Sequence, residues 1–539
     1  VLVSEASLTT HIRELRQALG DTAKSSVWIQ TVRGRGYRFR QNAQRADNAA
    51  GPAPDPKLKE NAIAVLPFDD LSLERDQEYF ALGVTEEILN ALARVPGLRV
   101  AGRASSFAYR GRQLDLRDIG GALNVSYVLE GSVRKHRDRI RINAHLSSVA
   151  DGFQLWSQQF DRPLNEVFDL QEQIAKDIAG ALEIVLTGQG SRRLAKALTS
   201  SSDAYELFVR GRALVDVRSG ESTLVQAVEL LESAVEVDPQ FAAAWAELAR
   251  AQNTLPQYVF TREGDHHLDK AQIAAETALQ LDPGLARAHL AASGIDSRRF
   301  GLSRAHAKLT TALQLDPDDA DALGAMSYFW NIIGHTERAI ELGFAAKDRD
   351  PLNATNLWVL ALALANVGRT READDLIQSS VRLGFETANT WRHYIFGLMG
   401  QRELAESTLQ SATKELDPVM EAMKEIEQYR HVIANTNHGD DDNARKRLSD
   451  VFAQHYGSSE QVEINTTSIA IVWCLGDIDL FMDIFTKHTF SGDTFNMCSF
   501  WDDGPIARQL RAHRRFQAFI QKIGLQSVWD QLGPPDRLR

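Results

Sequence analysis

AQIAAETALQLDP at residues 271–283 is followed by AHAKLTTALQLDP at 305–317 and AIELGFAAKDRDP at 339–351. A more distant copy, AVELLESAVEVDP, stands at 227–239. The closing prolines, Pro239, Pro283, Pro317 and Pro351, are separated by 44, 34 and 34 residues. Twelve residues before each proline is an alanine (Ala227, Ala271, Ala305, Ala339), and five before each is another (Ala234, Ala278, Ala312, Ala346). Small side chains at a fixed phase let two helices approach closely, and a proline just past the second helix stops it. Gly301, Gly334 and Gly368 mark the turns between paired helices. A helix pair of this kind keeps one apolar face, which only a stacked neighbour can bury. The 44-residue step is one repeat plus ten extra residues, assigned to the loop around Phe260–Asp265. The period continues through Ala373 and Ser380, with Phe385 in the place of proline, and a further copy ends at Pro418.

This pattern resembles the tetratricopeptide repeat (TPR). The resemblance implies an α-solenoid over 203–425 whose concave surface takes a protein or peptide partner. Residues 426–539 stay helical in pattern but lose the phase. Their final stretch, RRFQAFIQKIGLQSVWDQLGPPDRL (514–538), resembles the tail closing TPR arrays in winged-helix regulators. A terminal cap shielding the last apolar face is expected there.

Ahead of the array, Ala62–Phe68 is a short apolar run suited to a buried strand, and Phe80, Val84, Ile88, Leu92 and Val95 follow helical spacing. Leu98–Val100 is a second short strand. Residues 126–134, 140–146 and 154–160 alternate as strands, with a turn at His136–Arg139, and Ile174, Ile178, Leu182 and Val185 give a closing helix. The order predicts a layered α+β domain. The segment AIAVLPFDDLS…EYFALGVTEEILNAL…VSYVLEGSVRKHRDRIRINAHLSSVADGFQLWSQQFDR resembles the TolB-like module, so 59–188 is read as that domain. The resemblance implies no catalysis. Asp69, Asp70 and Glu74 read as solvated loop acids after a strand, and Gly120-Gly121 as a close helix packing or a turn.

At the amino end, Leu8, Ile12, Leu15 and Leu19 form one apolar helical stripe, capped by Ser4 or Ser7 and stopped by Gly20. Thr9, Thr10, Arg13, Arg16 and Gln17 lie opposite it, side chains suited to phosphates and base edges. Trp28–Arg33 alternates, Gly34-Arg35-Gly36 turns tightly, and Tyr37–Phe39 returns as a hairpin. SLTTHIRELRQALGD followed by WIQTVRGRGYRF resembles the second half of an OmpR/PhoB-type winged-helix domain. In that family the helix enters the major groove and the wing touches the neighbouring backbone. Carried over by position, Thr9, Thr10, His11, Arg13 and Arg16 face DNA, and Arg33, Arg35 and Tyr37 hold phosphates. Glu14 stands where the family is often basic. The family's leading strands and first helices are absent from 1–40, so this winged helix reads as truncated, and a chain starting at Val1 reads as a fragment.

Charge follows this division. Residues 1–40 hold seven Lys/Arg against three Asp/Glu, net +4, which leaves −16 on the remainder of a chain of net −12. A basic module is drawn to polyanions and an acidic body is repelled. Residues 41–58 are polar, with Ala, Pro and Gly, and read as a flexible linker. Two cysteines, Cys474 and Cys498, make no disulfide framework. The most apolar segments, 356–368 and 465–485, are respectively too short and too acidic to span a bilayer. No phosphate-binding loop, zincin or nucleophile-elbow motif occurs, adjacent His266 and His267 make a poor metal pair, and Gly439–Asn443 reads as an acidic helix start rather than a calcium loop.

The expectation is therefore a multidomain α+β and all-α protein: truncated winged helix, linker, TolB-like domain, TPR solenoid and cap. Its expected partners are double-stranded DNA and a protein or peptide in the TPR groove, with no cofactor, no metal, no membrane and no enzymatic activity. The resemblance implies a bacterial cytoplasmic regulator of the kind linked to phosphorelay signalling. The competing reading is a TPR signalling scaffold without real DNA binding.

Overall fold

The computed structural model describes residues 29–32, 36–39, 59–72, 78–93, 95, 97–110, 115–136, 139–163, 173–174, 177–178, 199, 201–217, 221–257, 263–385, 392, 476–487 and 495–538. The chain divides into two compact units, residues 1–58 and 59–539.

In the first unit, β1 (Ile29–Val32) and β2 (Gly36–Phe39) form an antiparallel hairpin in the register Ile29↔Phe39, Gln30↔Arg38, Thr31↔Tyr37, Val32↔Gly36. The strands are the two alternating runs on either side of residues 33–35, which lie outside the described residues.

The second unit starts with a mixed sheet. β3 (Lys59–Val65) lies parallel to both β5 (Arg99–Val100) and β6 (Val125–His136). β7 (Arg139–Ser148) and β8 (Gln154–Pro163) continue it antiparallel, in the order β5-β3-β6-β7-β8, and β4 (Asp69–Asp70) pairs β6. Ile140, Ile142, Ala144 and Leu146 of β7 are buried while Arg139 and Arg141 are exposed, the period of a strand with one covered face. The cover is α1 (Glu78–Ala93), which buries Phe80, Val84, Ile88 and Leu92. Thr85 ties helix to strand: its Oγ1 donates to the Ala81 carbonyl (2.8 Å) and accepts from the Phe68 N–H (2.9 Å). Two short helices follow, α2 (Arg103–Phe107) and α3 (Leu116–Leu123). Gly120 lets α3 approach closely, because a Cβ there would stand 2.3 Å from Val149 Cγ1. Gly121 meets nothing within 4 Å, so only the first glycine of the pair is a packing residue.

Helix pairs then repeat: α4 (Ser202–Val217) with α5 (Glu221–Val237), α6 (Ala242–Thr254) with α7 (Glu263–Leu281), α8 (Ala286–Arg298) with α9 (Leu302–Leu315), α10 (Ala320–Ile332) with α11 (Thr336–Arg349), and α12 (Ala354–Asn366) with α13 (Thr370–Arg382). Ala271, Ala305, Ala339, Ala373 and Ser380 are fully buried, so the sequence period is the packing period. The extra residues of the long first step are divided: α7 has 19 residues against 14 in α9 and α11, and the rest lies between Leu255 and α7. The left-handed turn residues are Phe300 (φ 53°), Gly334 (φ 89°) and Gly368 (φ 77°), at a strict 34-residue spacing. Gly301 is not one of them; its φ is −78° and it stands before α9 as the helix opens. In this repeat a phenylalanine takes the strained position, one residue ahead of the glycine.

The carboxy-terminal helices α14 (Ile478–Lys487), α15 (Phe495–Cys498), α16 (Pro505–Ala512), α17 (Phe516–Lys522) and α18 (Leu525–Leu532) seat on those turns. Trp501 Nε1 donates to the Ile332 carbonyl (2.8 Å) and Trp529 Nε1 to the Ile333 carbonyl (2.9 Å). The Asp536 N–H donates to the Gly334 carbonyl (3.0 Å), and Asn366 Nδ2 to the Cys498 carbonyl (2.9 Å). Phe481, Phe485, Phe500 and Phe519 pack ring against ring in a core continuous with α9, α10, α12 and α13. These last residues thus bury apolar surface along the turn side of several repeats. No helix among the described residues is long and apolar enough to cross a membrane.

Candidate functional site

The residues singled out for DNA contact fall in the first unit. Tyr37 lies on β2 in register with Thr31. Thr9, Thr10, His11, Arg13, Arg16, Arg33 and Arg35 lie outside the described residues, as do Glu74, Cys474 and Gly439–Asn443. In the second unit, Asp69 is exposed and Asp70 Oδ1 caps the Ser72 N–H (2.8 Å), the behaviour of turn acids. His267 Nδ1 is 2.6 Å from Gln252 Oε1, within one layer of the array. Among the described residues no group of three His, Cys, Asp or Glu is placed to hold a metal.

Among the described residues, the densest assembly of charge lies where the α+β module meets the repeats, and no sequence motif announces it. Glu86 on α1 pairs with Arg212 of α4 and, at 3.0 Å, with Arg103 Nε of α2. Arg103 Nη1 reaches Asp216 (2.7 Å), which also binds Arg250 Nη2 of α6 (2.7 Å). Arg250 Nε holds Glu247 (2.7 Å), and Glu247 lies 3.8 Å from Arg212 Nε and 3.7 Å from Arg287 Nη1 of α8. Arg287 lies 3.8 Å from Asp321 at the start of α10. The side chains of Glu86, Arg212 and Glu247 are only 5%, 5% and 3% exposed. Buried charges persist only when paired, and here each has at least two partners of opposite sign. Burial, reinforced by Arg287, pushes the Arg212 guanidinium down to about 10, so it stays cationic at neutral pH. Burial would raise Glu247 and Asp216, but the surrounding arginines outweigh it, Arg250 first for Glu247 and Arg103 first for Asp216, and both carboxyls fall below their ordinary range.

A second contact joins the module to the array four helix pairs along. The Asp350 carboxylate accepts from the backbone N–H of Ala104 (3.1 Å) and Ser105 (2.6 Å), capping α2 from another part of the chain. The Gly102 N–H donates to the Arg349 carbonyl (2.8 Å), and the Leu352 N–H donates to Ser105 Oγ (2.7 Å). Gly102 permits this approach, because a Cβ there would stand 2.3 Å from Asp350 Cβ. Burial, with Asp321 nearby, raises the Asp350 carboxyl to about 6 against the pull of its hydrogen bonds. In the sequence Asp350 is legible only as the residue before the Pro351 helix stop; nothing local marks it as a cap for a helix some 245 residues upstream.

The other end of the module is anchored by apolar contact. Phe80 of α1 meets Tyr205 of α4 edge to face at 6.1 Å, and Gly83 sits where a Cβ would be 2.6 Å from Val209 Cγ2. One buried cluster runs from Ile63 and Phe80 through Tyr205 and Phe208 into Phe241 and Ala271.

Comparison with known proteins adds the following. Residues 2–39 match the family described as transcriptional regulatory protein, C terminal. A curated relative from Rhizobium meliloti (strain 1021), named "Putative adenylate cyclase 3", is 39% identical over 211 residues, which cover 39% of this chain and 36% of the relative. The chain therefore spans about a third of the length of that relative. Among solved structures, a thermophilic TPR protein of Thermus thermophilus is similar with 19% identity and TM-score 0.27, over 37% of this chain and 94% of that one. The human IFIT1 dimer with PPP-AAAA is similar with 16% identity and TM-score 0.39, over 65% of this chain and 80% of that one. The match over 2–39 identifies this amino-terminal segment as part of an OmpR/PhoB-type winged-helix domain of transcriptional regulators.

Proposed function

We propose that the chain is a transcription regulator whose winged-helix segment binds promoter DNA. The observation that carries this reading is the family match over residues 2–39. Thr9, Thr10, His11, Arg13 and Arg16 contact the major groove, and Arg33, Arg35 and Tyr37 hold the flanking phosphates. The acidic body lowers affinity for DNA in general, which leaves selection to the basic segment. The mixed-sheet module, TolB-like in its sequence, and the repeat array form the part that senses or recruits through protein contacts, in a bacterial cytoplasm. The curated relative carries a cyclase name, but the shared part covers only 36% of it. The chain carries out no reaction of its own. The scaffold alternative makes a different forecast, namely tight protein partners and no enrichment on chromatin.

The test is fluorescence anisotropy of the complete protein on a labelled fragment of its own promoter at matched salt. Arg13→Ala and Arg16→Ala are expected to weaken binding by about 1–3 kcal/mol each if they read bases. Unchanged affinity in both variants refutes the reading.

A further inference from the structure

The module is held to the array by two contacts of different chemistry. At α4 an apolar core continuous with both parts is joined by the buried ion pair of Glu86 with Arg212 and by the pair of Arg103 with Asp216. At Asp350 it is made of hydrogen bonds: three backbone N–H donors, from Gly102, Ala104 and Ser105, and the Leu352 N–H returned to Ser105 Oγ. An apolar anchor gives up its burial on opening, whereas polar groups exchange their partners for water at small net cost. The two ends are therefore expected to part at different free energies.

The array side of the polar contact has a definite ligand chemistry. Asp216, Glu247 and Asp321 pair with Arg250, Arg212 and Arg287 of the repeats, Arg103 of the module is a further partner of Asp216, and Asp350 accepts from backbone N–H groups of the module. The Asp350 carboxylate, itself buried, points at two consecutive backbone N–H groups. What fits this seat is a chain segment with a glycine that allows close approach, then a guanidinium, then a helix start whose free N–H groups meet a carboxylate.

We propose that this acid-lined seat is the array's peptide-binding site, that residues 102–106 occupy it as an internal ligand, and that a partner segment of the same chemistry binds by displacing them. This rests on reading the array as a partner-binding surface and names the partner class: a segment with arginine immediately before a serine-rich helix start. Displacement releases α2 while α1 and the sheet it covers stay anchored on α4, so the opening is confined to α2.

The probe is a labelled peptide of residues 99–110, RVAGRASSFAYR, titrated into the full chain. The opening variant is Gly102→Val, which places a branched side chain against Asp350 and leaves the seat's own residues intact. Hydrogen exchange at the Ala104 and Ser105 amides is expected to quicken at least tenfold in this variant, with exchange in α1 and α4 unchanged. The peptide is expected to bind Gly102→Val at least tenfold more tightly than the wild type, and Gly102→Val with Asp350→Ala is expected to lose that gain. If Gly102→Val disturbs α1 as well, Ser105→Pro, which removes one donor, replaces it. The proposal is overturned if the α2 amides open and the peptide still fails to bind, or if it binds the wild type as tightly as the open variant. Promoter binding by the winged helix is read in parallel, and its retention or loss judges the other reading alone.

Discussion

The ion network linking module and array makes a quantitative demand. Arg212→Met removes the cation between Glu86 and Glu247, two carboxylates whose side chains are 5% and 3% exposed. Breaking a buried pair costs about 3–5 kcal/mol, because the remaining charge is stranded. Here each acid keeps another guanidinium, Arg103 Nε at 3.0 Å from Glu86 and Arg250 Nε at 2.7 Å from Glu247, so the cost belongs at the lower end, about 3 kcal/mol. Glu86→Leu leaves Arg212 only the 3.8 Å contact with Glu247, while Arg103 keeps Asp216, and costs about the same. The double variant strands neither charge and buries two apolar side chains, so it should be close to neutral, with a coupling energy of at least about 3 kcal/mol. Native-state hydrogen exchange along α4 reads this locally, where a whole-chain melting curve would mix several transitions. Each single variant should quicken the slowest α4 amides by roughly 100-fold, and the double variant should restore most of that protection. Additive losses would show that the network is surface decoration and would refute the argument from stranded charge.

Three further outcomes follow from the geometry. Asp350 has its carboxyl raised to about 6 in the folded chain, above the ordinary 3.8. Its contribution to docking is therefore full below the ordinary carboxylate range and is lost as pH rises through about 6, so α2 amides should exchange faster, relative to α4, at neutral pH than in mild acid; Asp350→Asn should flatten this slope. Trp529→Phe removes the indole donor from the Ile333 carbonyl and should cost about 1–3 kcal/mol, read as faster exchange in α18 and around Gly334. Ala339→Leu forces extra methylenes between fully buried helices and should destabilise α10–α13 by about 1–3 kcal/mol in urea unfolding followed by tryptophan fluorescence, whereas Glu337→Gln at an exposed position should change little.

The parts legible in the sequence are those governed by period. Ala271, Ala305 and Ala339 announce their burial because one packing problem recurs every 34 residues with one answer. The alternation of Ile140, Ile142 and Ala144 marks a strand of the α+β layer for the same reason. Single deviations escape. Phe300 takes the left-handed turn that the neighbouring Gly301 advertises, which only its backbone angle reveals. The ion network escapes because its members are far apart: Glu86 and Arg212 are separated by 126 residues, and each taken alone reads as an ordinary helical charge. Asp350 reads as punctuation for a helix stop, and its second role depends on where the module lies.

The measurement that bears most directly on the whole account is the salt dependence of promoter binding by the complete protein, with wild type beside an Arg33→Ala, Arg35→Ala double variant. If the hairpin holds phosphates, the double variant should reduce the slope of log affinity against log salt by about 2 and weaken promoter and unrelated DNA alike. A slope that stays the same, or a wild-type protein with no preference for its promoter over unrelated DNA, would contradict it.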